Sequence, residues 1–273
     1  MNPDKTLRTR LIVAAILAPL VIVFIFLGGW PFAVLIGIGL VLAGWEYWRI
    51  FRVGDFSPSL FLMVTGILSA IWLRYHFQFQ YMDVWLAGLI LVSMTIAVIQ
   101  QAQSVTNAAF NFAITISGIL YIGWLGSYAV SVRSLSDGLA WTLLVIFSAA
   151  MSDTGGYLFG SLFGKHKISL ALSPKKSWEG YFGGVLVAAV STYLGALLCH
   201  LYFPAIKPMH GLILGAVLAV FVPLGDFAES MVKRLFNLKD TSHLLPGHGG
   251  ILDRIDSSLW ALPIGFYLLI LLK

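Results

Sequence analysis

From Leu11 to Trp45 the chain runs 35 positions without a charged residue, broken only by the turn-forming string Gly28-Gly29-Trp30-Pro31. Two apolar runs of membrane-spanning length around such a string predict a helical hairpin, with helices near 11–28 and 31–48. Seven more apolar runs follow near 58–73, 84–101, 108–130, 138–154, 181–203, 209–225 and 257–272. The pattern therefore predicts an all-α, polytopic integral membrane protein with about nine transmembrane helices. Lys5, Arg8 and Arg10 ahead of the first run resemble the start of a signal peptide. The run is too long for one, however, no small-residue cleavage site follows it, and a second run begins at once, so the reading is a retained first helix.

Composition strengthens this picture. Hydrophobic residues make up 59% of the 273 positions and charged residues 11%, against roughly 25% charged in an ordinary soluble domain. A water-exposed globule is excluded. The single cysteine, Cys199, lies in an apolar stretch, which rules out a disulfide framework or a thiolate metal site. The net charge of +5 would suggest nucleic acid in a soluble protein, but the positive-inside bias accounts for it here. With the N-terminus inside, 13 of the 17 basic residues fall on the cytoplasmic side, all but Arg74, Arg133, Lys207 and Lys273. The expected location is the inner (plasma) membrane, with the polar loops facing the cytoplasm and no nucleic-acid partner. Repeats, low-complexity tracts and flexible linkers are absent from the sequence. Residues 1–135 read as scaffold, lipid groove or homodimer interface, and 136–273 as the catalytic region of one integrated domain.

The charges that remain are concentrated. Seven of the 12 acidic residues lie in two segments, 153–180 and 226–256. In the first, Asp153 follows an apolar run directly, at a membrane boundary where a carboxylate needs a partner, a metal or water. Gly156, Gly160 and Gly164 are spaced for close helix packing. Ser173-Pro174 reads as a helix N-cap followed by a first-turn proline. That would place Lys175 and Lys176 in a first turn, where positive charge opposes the helix dipole and suits a phosphate better. In the second segment, helical spacing puts Asp226, Glu229, Ser230 and Lys233 on one face, and Asp253 with Asp256 on another. Asp carboxylates with few histidines and no thiolate make a hard oxygen site suited to Mg²⁺. The glycines Gly247, Gly249 and Gly250 allow close backbone approach to an anion, and Lys233, Arg234, Lys239 and Arg254 surround them with positive charge. Alternating carboxylates, glycines and cations are what a metal–polyphosphate complex requires.

The string from Ser230 to Asp256, S-x-V-K-R-x4-K-D-x-S-x2-L-P-G-H-G-G-I-x-D-R-I-D, resembles the signature of the phosphatidate cytidylyltransferases, or CDP-diacylglycerol synthases. The strings Asp153-Thr-Gly-Gly-Tyr and Ser173-Pro-Lys-Lys-Ser-Trp-Glu-Gly are similar to that family too. The likeness covers the C-terminal half, while residues 1–135 share only general hydropathy. It implies conversion of CTP and phosphatidic acid to CDP-diacylglycerol and pyrophosphate, dependent on Mg²⁺. It also implies a metal site of one or two cations at Asp226, Asp253 and Asp256, with Lys233, Arg234 and Arg254 offsetting charge on the reacting phosphates. Substrate contacts are expected from Asp153, Lys175, Lys176, Ser230, Lys239, Asp240, His248, Gly249 and Gly250. The competing readings are a CTP-dependent polyprenol or dolichol kinase, which would transfer the γ-phosphate, and a non-enzymatic transporter or scaffold, which clustering of charge at one face disfavours.

Overall fold

The computed structural model describes residues 3–247 and 249–272, with side chains from residue 12 onward. His248, Lys273 and the side chains of Lys5, Arg8 and Arg10 lie outside the described residues. The elements run α1 (Pro3–Leu27), α2 (Gly29–Val53), α3 (Leu60–Phe77), α4 (Met82–Ala102), α5 (Ala108–Gly118), α6 (Leu125–Arg133), α7 (Gly138–Phe163), β1 (Lys167–Ser169), β2 (Ser173–Ser177), α8 (Trp178–His200), α9 (Pro208–Leu235) and α10 (Leu252–Leu271). A π-helical turn, Ile119–Trp124, joins α5 to α6, so that one apolar rod extends over Ala108–Arg133. Among the described residues eight rods are long and apolar enough to cross a membrane, and α1 adds a shorter apolar stretch, Ile12–Leu27. Large apolar side chains such as Val84, Leu91, Phe182 and Leu198 remain exposed along these rods, as lipid-facing surface requires. The protein is an all-α, polytopic integral membrane protein.

Two local expectations are corrected. Ser173 and Pro174 do not open a helix. They lie in β2, which pairs antiparallel with β1 in a two-stranded hairpin, Lys167 opposite Ser177 and Ser169 opposite Ser173. Proline is tolerated in such an edge strand because its missing N–H breaks no central ladder. The helix starts at Trp178, where the Ser177 hydroxyl accepts from Gly180 N at 3.2 Å and Glu179 sits favourably in the first turn. Lys175 and Lys176 are therefore strand residues with side chains on opposite faces. The second correction concerns the helix that carries Asp153, which continues past the expected end of its apolar run at 154 to Phe163.

The chain divides into two compact units, Met1–Ser131 with Leu235–Arg254, and Val132–Arg234 with Ile255–Lys273. In the first unit small residues let helices approach closely. A side chain at Gly44 of α2 would collide with Ile67 of α3, and one at Gly66 of α3 with Ile119 of the π turn. In the second unit Gly155, Gly156 and Gly160 of α7 face Gly180, Gly183 and Gly184 of α8, where a Cβ at Gly180 would strike the Gly156 carbonyl. The glycine spacing read as a packing stripe holds at Gly156 and Gly160. Gly164 instead ends α7, its N–H donating to Gly160 O at 3.1 Å.

Candidate active site

The acidic site of the second unit begins with one close approach. Gly225 of α9 lies so near α10 that an added Cβ would strike the Asp256 carbonyl oxygen and the Trp260 ring. The next residue on α9, Asp226, is thereby set beside Asp256. One turn further along, Glu229 completes the group, with one carboxylate oxygen of each of the three within 4.8 Å of those of the others. Asp226 is half-buried, whereas Glu229 and Asp256 are 2% and 6% exposed. Three carboxylates this close repel one another, and nearby cations offset that repulsion. Lys176, from β2, supplies one, with Nζ 2.5 Å from Asp226 Oδ2, 3.4 Å from the Pro223 carbonyl and 4.6 Å from the centre of the Phe227 ring. Lys233 supplies another, donating to Glu229 Oε2 at 2.8 Å in a buried pair four residues apart on α9. Asp153 of α7 also lies within electrostatic range of Asp256.

This group differs from the one expected. Glu229, placed on one helical face with Asp226 but left out of the expected metal set, stands with Asp226 and Asp256. Lys233 was assigned to a phosphate, but its charge is already countered by Glu229. Ser230 is buried in α9 at 6% exposed. Lys175 is exposed while its neighbour Lys176 turns toward the carboxylates, and Arg234 is exposed at the end of α9.

Asp253 belongs to the first unit. Its Oδ2 accepts from Thr241 N at 3.0 Å, Thr241 Oγ1 at 2.9 Å and Gly250 N at 2.7 Å. The Gly250 N–H, expected to be open to an anion, is thus taken by a resident carboxylate. Gly247 and Gly249 have φ of +77° and +82°, which favours glycine at both, and Leu245 N donates to Gly249 O at 2.9 Å to close the turn. Lys239, Asp240 and Arg254 are exposed around this loop.

The sequence reading missed Glu46. It lies in α2, is 0% exposed, and accepts from four groups of the 241–252 segment. Ser242 Oγ and Ile251 N reach Oε1 at 2.5 and 2.9 Å, and Thr241 Oγ1 and Leu252 N reach Oε2 at 3.0 and 2.7 Å. The signal was present: Glu46 is the first charge after 35 uncharged positions, and an ionisable residue within a span marks a site by default.

Fold and site together define a membrane-embedded protein with an all-oxygen acidic centre flanked by lysines. The profile of the Cytidylyltransferase family matches residues 8–272, and the chain belongs to that family of nucleotidyltransferases. It is 34% identical over 215 residues to a phosphatidate cytidylyltransferase of Staphylococcus epidermidis, covering 77% of this chain and 81% of the relative. A protein of the same name from Staphylococcus aureus is also 34% identical, over 218 residues, with the same two shares. One from Mycobacterium bovis is 30% identical over 221 residues, 77% of this chain and 71% of that one. The family match extends through the N-terminal half, where only shared hydropathy was legible.

Proposed function

We propose that this protein transfers the cytidylyl group of CTP to phosphatidic acid, forming CDP-diacylglycerol and pyrophosphate. The observation that carries the reading is the identity to relatives of that name over 77% of the chain. The acidic centre supplies what the chemistry demands. A non-bridging oxygen of the lipid phosphate attacks the α-phosphorus of CTP. The bond from that phosphorus to the oxygen shared with the β-phosphate breaks, and this oxygen leaves with pyrophosphate. The attacking phosphate is largely ionised near neutral pH, so no general base is required, and the barrier is charge repulsion and alignment.

The residues fit the divalent cation that the family resemblance implies. Asp226, Glu229 and Asp256 offer oxygen ligands alone, one carboxylate oxygen of each within 4.8 Å of the others, the hard donor type that such a cation would take. When bound there, Mg²⁺ supplies Lewis-acid polarisation of phosphate oxygens and offsets their charge. Asp226 and Asp256 hold this position from two helices fixed by the contact at Gly225. Lys176, at the edge of the group on a short hairpin, turns from Asp226 to a phosphate oxygen of the substrate and steadies it for in-line attack. Asp153 adds negative charge that favours cation binding. The exposed Lys175, Arg234, Lys239 and Arg254 attract the polyphosphate and the lipid headgroup. CTP is confined to water and the acyl chains to lipid, so the reacting phosphates meet at the bilayer surface. The distribution of basic residues supports the cytoplasmic face of the plasma membrane.

The test is incubation of the purified protein with radiolabelled CTP and phosphatidic acid, with and without Mg²⁺. A CMP-containing lipid and pyrophosphate are expected. A phosphorylated lipid with CDP would instead establish γ-phosphoryl transfer, and solute movement without nucleotide-linked lipid would establish a transporter.

A further inference from the structure

We infer that Glu46 is a positioning residue for the signature loop: from α2 it fixes the two ends of the loop, Thr241 and Ser242 at one and Ile251 and Leu252 at the other, and, through Thr241, the carboxylate of Asp253. A carboxylate has about four lone-pair sites, and four donors from this one segment face Glu46, two hydroxyls and two backbone N–H groups, the Thr241 hydroxyl being shared with Asp253. Ile251 and Leu252 open α10, where N–H groups have no partner within the helix. Glu46 therefore serves as an anionic cap supplied from about 200 residues away in sequence, at the end of the helix where the dipole favours negative charge.

The geometry locks both halves of the loop to one point. Ser242 and Thr241 come from its start and Ile251 and Leu252 from its end, and between them Leu245 N donates to Gly249 O. Gly250 is forced by the same arrangement, because a side chain there would collide with Thr241 Oγ1 and the Glu46 carboxylate. Thr241 Oγ1 stands 3.0 Å from Glu46 and 2.9 Å from Asp253. Its single proton serves one carboxylate at a time, so the two acids are linked through it. Ahead of the loop, Phe236 packs against Phe51 and Phe56 at 5.4 and 6.4 Å between ring centres, which anchors the chain where it leaves α9. Lys239 and Asp240 lie between these two anchors.

Burial of a saturated carboxylate in an apolar helix is costly unless every lone pair is satisfied, and glutamine cannot replace it. Its amide nitrogen would face two donors. Glu46→Gln is therefore expected to loosen the loop without dismantling the helices around it. The kinetic part of the test rests on the cytidylyltransferase reading, and the exchange part does not.

Hydrogen exchange of the purified protein should show amides of 241–252 exchanging about 10-fold faster or more in Glu46→Gln, with peptides of α3 and α4 unchanged. In the CTP assay KM for CTP should rise about 10–100-fold, the range typical for residues that orient a site's ligands. Loss of folded protein alone lowers the maximal rate and leaves KM as it was, and that outcome overturns the proposal. So does wild-type exchange across 241–252. Ser242→Ala, which removes one donor and keeps the acid, provides a milder variant in case Glu46→Gln does not fold. It should raise KM in the same direction, and its effect should not add to that of Glu46→Gln. If the wild-type protein makes no CDP-lipid, the functional reading fails, and the exchange measurement decides the positioning role by itself.

Discussion

The two units each bury carboxylates, and they surround them differently. In the second unit Asp226, Glu229 and Asp256 crowd one another, with lysine ammonium groups at the edge. In the first, Glu46 and Asp253 accept from hydroxyl and backbone donors and share the Thr241 hydroxyl. Carboxylates that repel one another gain by binding a cation. Carboxylates filled by neutral donors gain by keeping a loop and a helix end in one conformation. The residue type is the same in both places, and its surroundings separate chemistry from architecture.

The sharpest way to break this distinction is to neutralise one acid of each kind. Asp256→Asn should lower CDP-lipid formation about 1,000-fold, several kcal/mol of lost charge stabilisation, while the protein remains in the membrane. Turnover near that of the wild type would remove Asp256 from the reaction. Asp253→Asn retains an acceptor oxygen for Thr241 and Gly250, so the loss should be nearer tenfold with the Mg²⁺ requirement unchanged, within the range for residues that support a site. A loss equal to that of Asp256→Asn would return Asp253 to the metal set.

Removing a cation tests the second unit alone. Lys233→Met removes the buried ammonium that pairs with Glu229 and should cost about 3–5 kcal/mol of stability, read as a lower thermal midpoint in detergent. Adding Glu229→Gln should recover part of it, unless the pair matters little to the fold. Gly225→Ala places a methyl against the Asp256 carbonyl. It should lower turnover about 100-fold by shifting α9 against α10, the scale of a misplacement near 1 Å. The smallest effect is expected at Lys175→Ala, whose side chain is exposed on the strand face opposite Lys176. It should change the CTP KM by no more than about twofold, whereas Lys176→Ala should raise it about tenfold, the worth of one charge-assisted hydrogen bond. Equal effects would show that the hairpin does not discriminate between them.

Much of this protein was legible in its sequence. The nine apolar runs correspond to nine helical rods among the described residues, because the cost of unsatisfied backbone groups in lipid leaves a long apolar segment little choice but to be helical. The face shared by Glu229, Ser230 and Lys233 followed from helical spacing, and the string from Ser230 to Asp256 gave the family. Ser173-Pro174 misled because Ser-Pro is compatible with both a helix start and an edge strand, and only pairing with Lys167–Ser169 decides between them. The acidic cluster was legible in part: Asp226 and Asp256 were singled out, but spacing alone does not separate Glu229 from half of an ordinary i, i+4 ion pair with Lys233.

Periodicity and composition thus determined the class of protein and the segments that carry its chemistry, since both depend on local spacing and on the exclusion of charge from lipid. What only the tertiary structure decided was which acids face each other and which face donors. That depends on close approaches such as Gly225 to Asp256, and on contacts such as Glu46 with Leu252 across 206 positions. A carboxylate's role is set by the partners within a few ångströms, and chain folding, rather than spacing along the sequence, brings those partners to it.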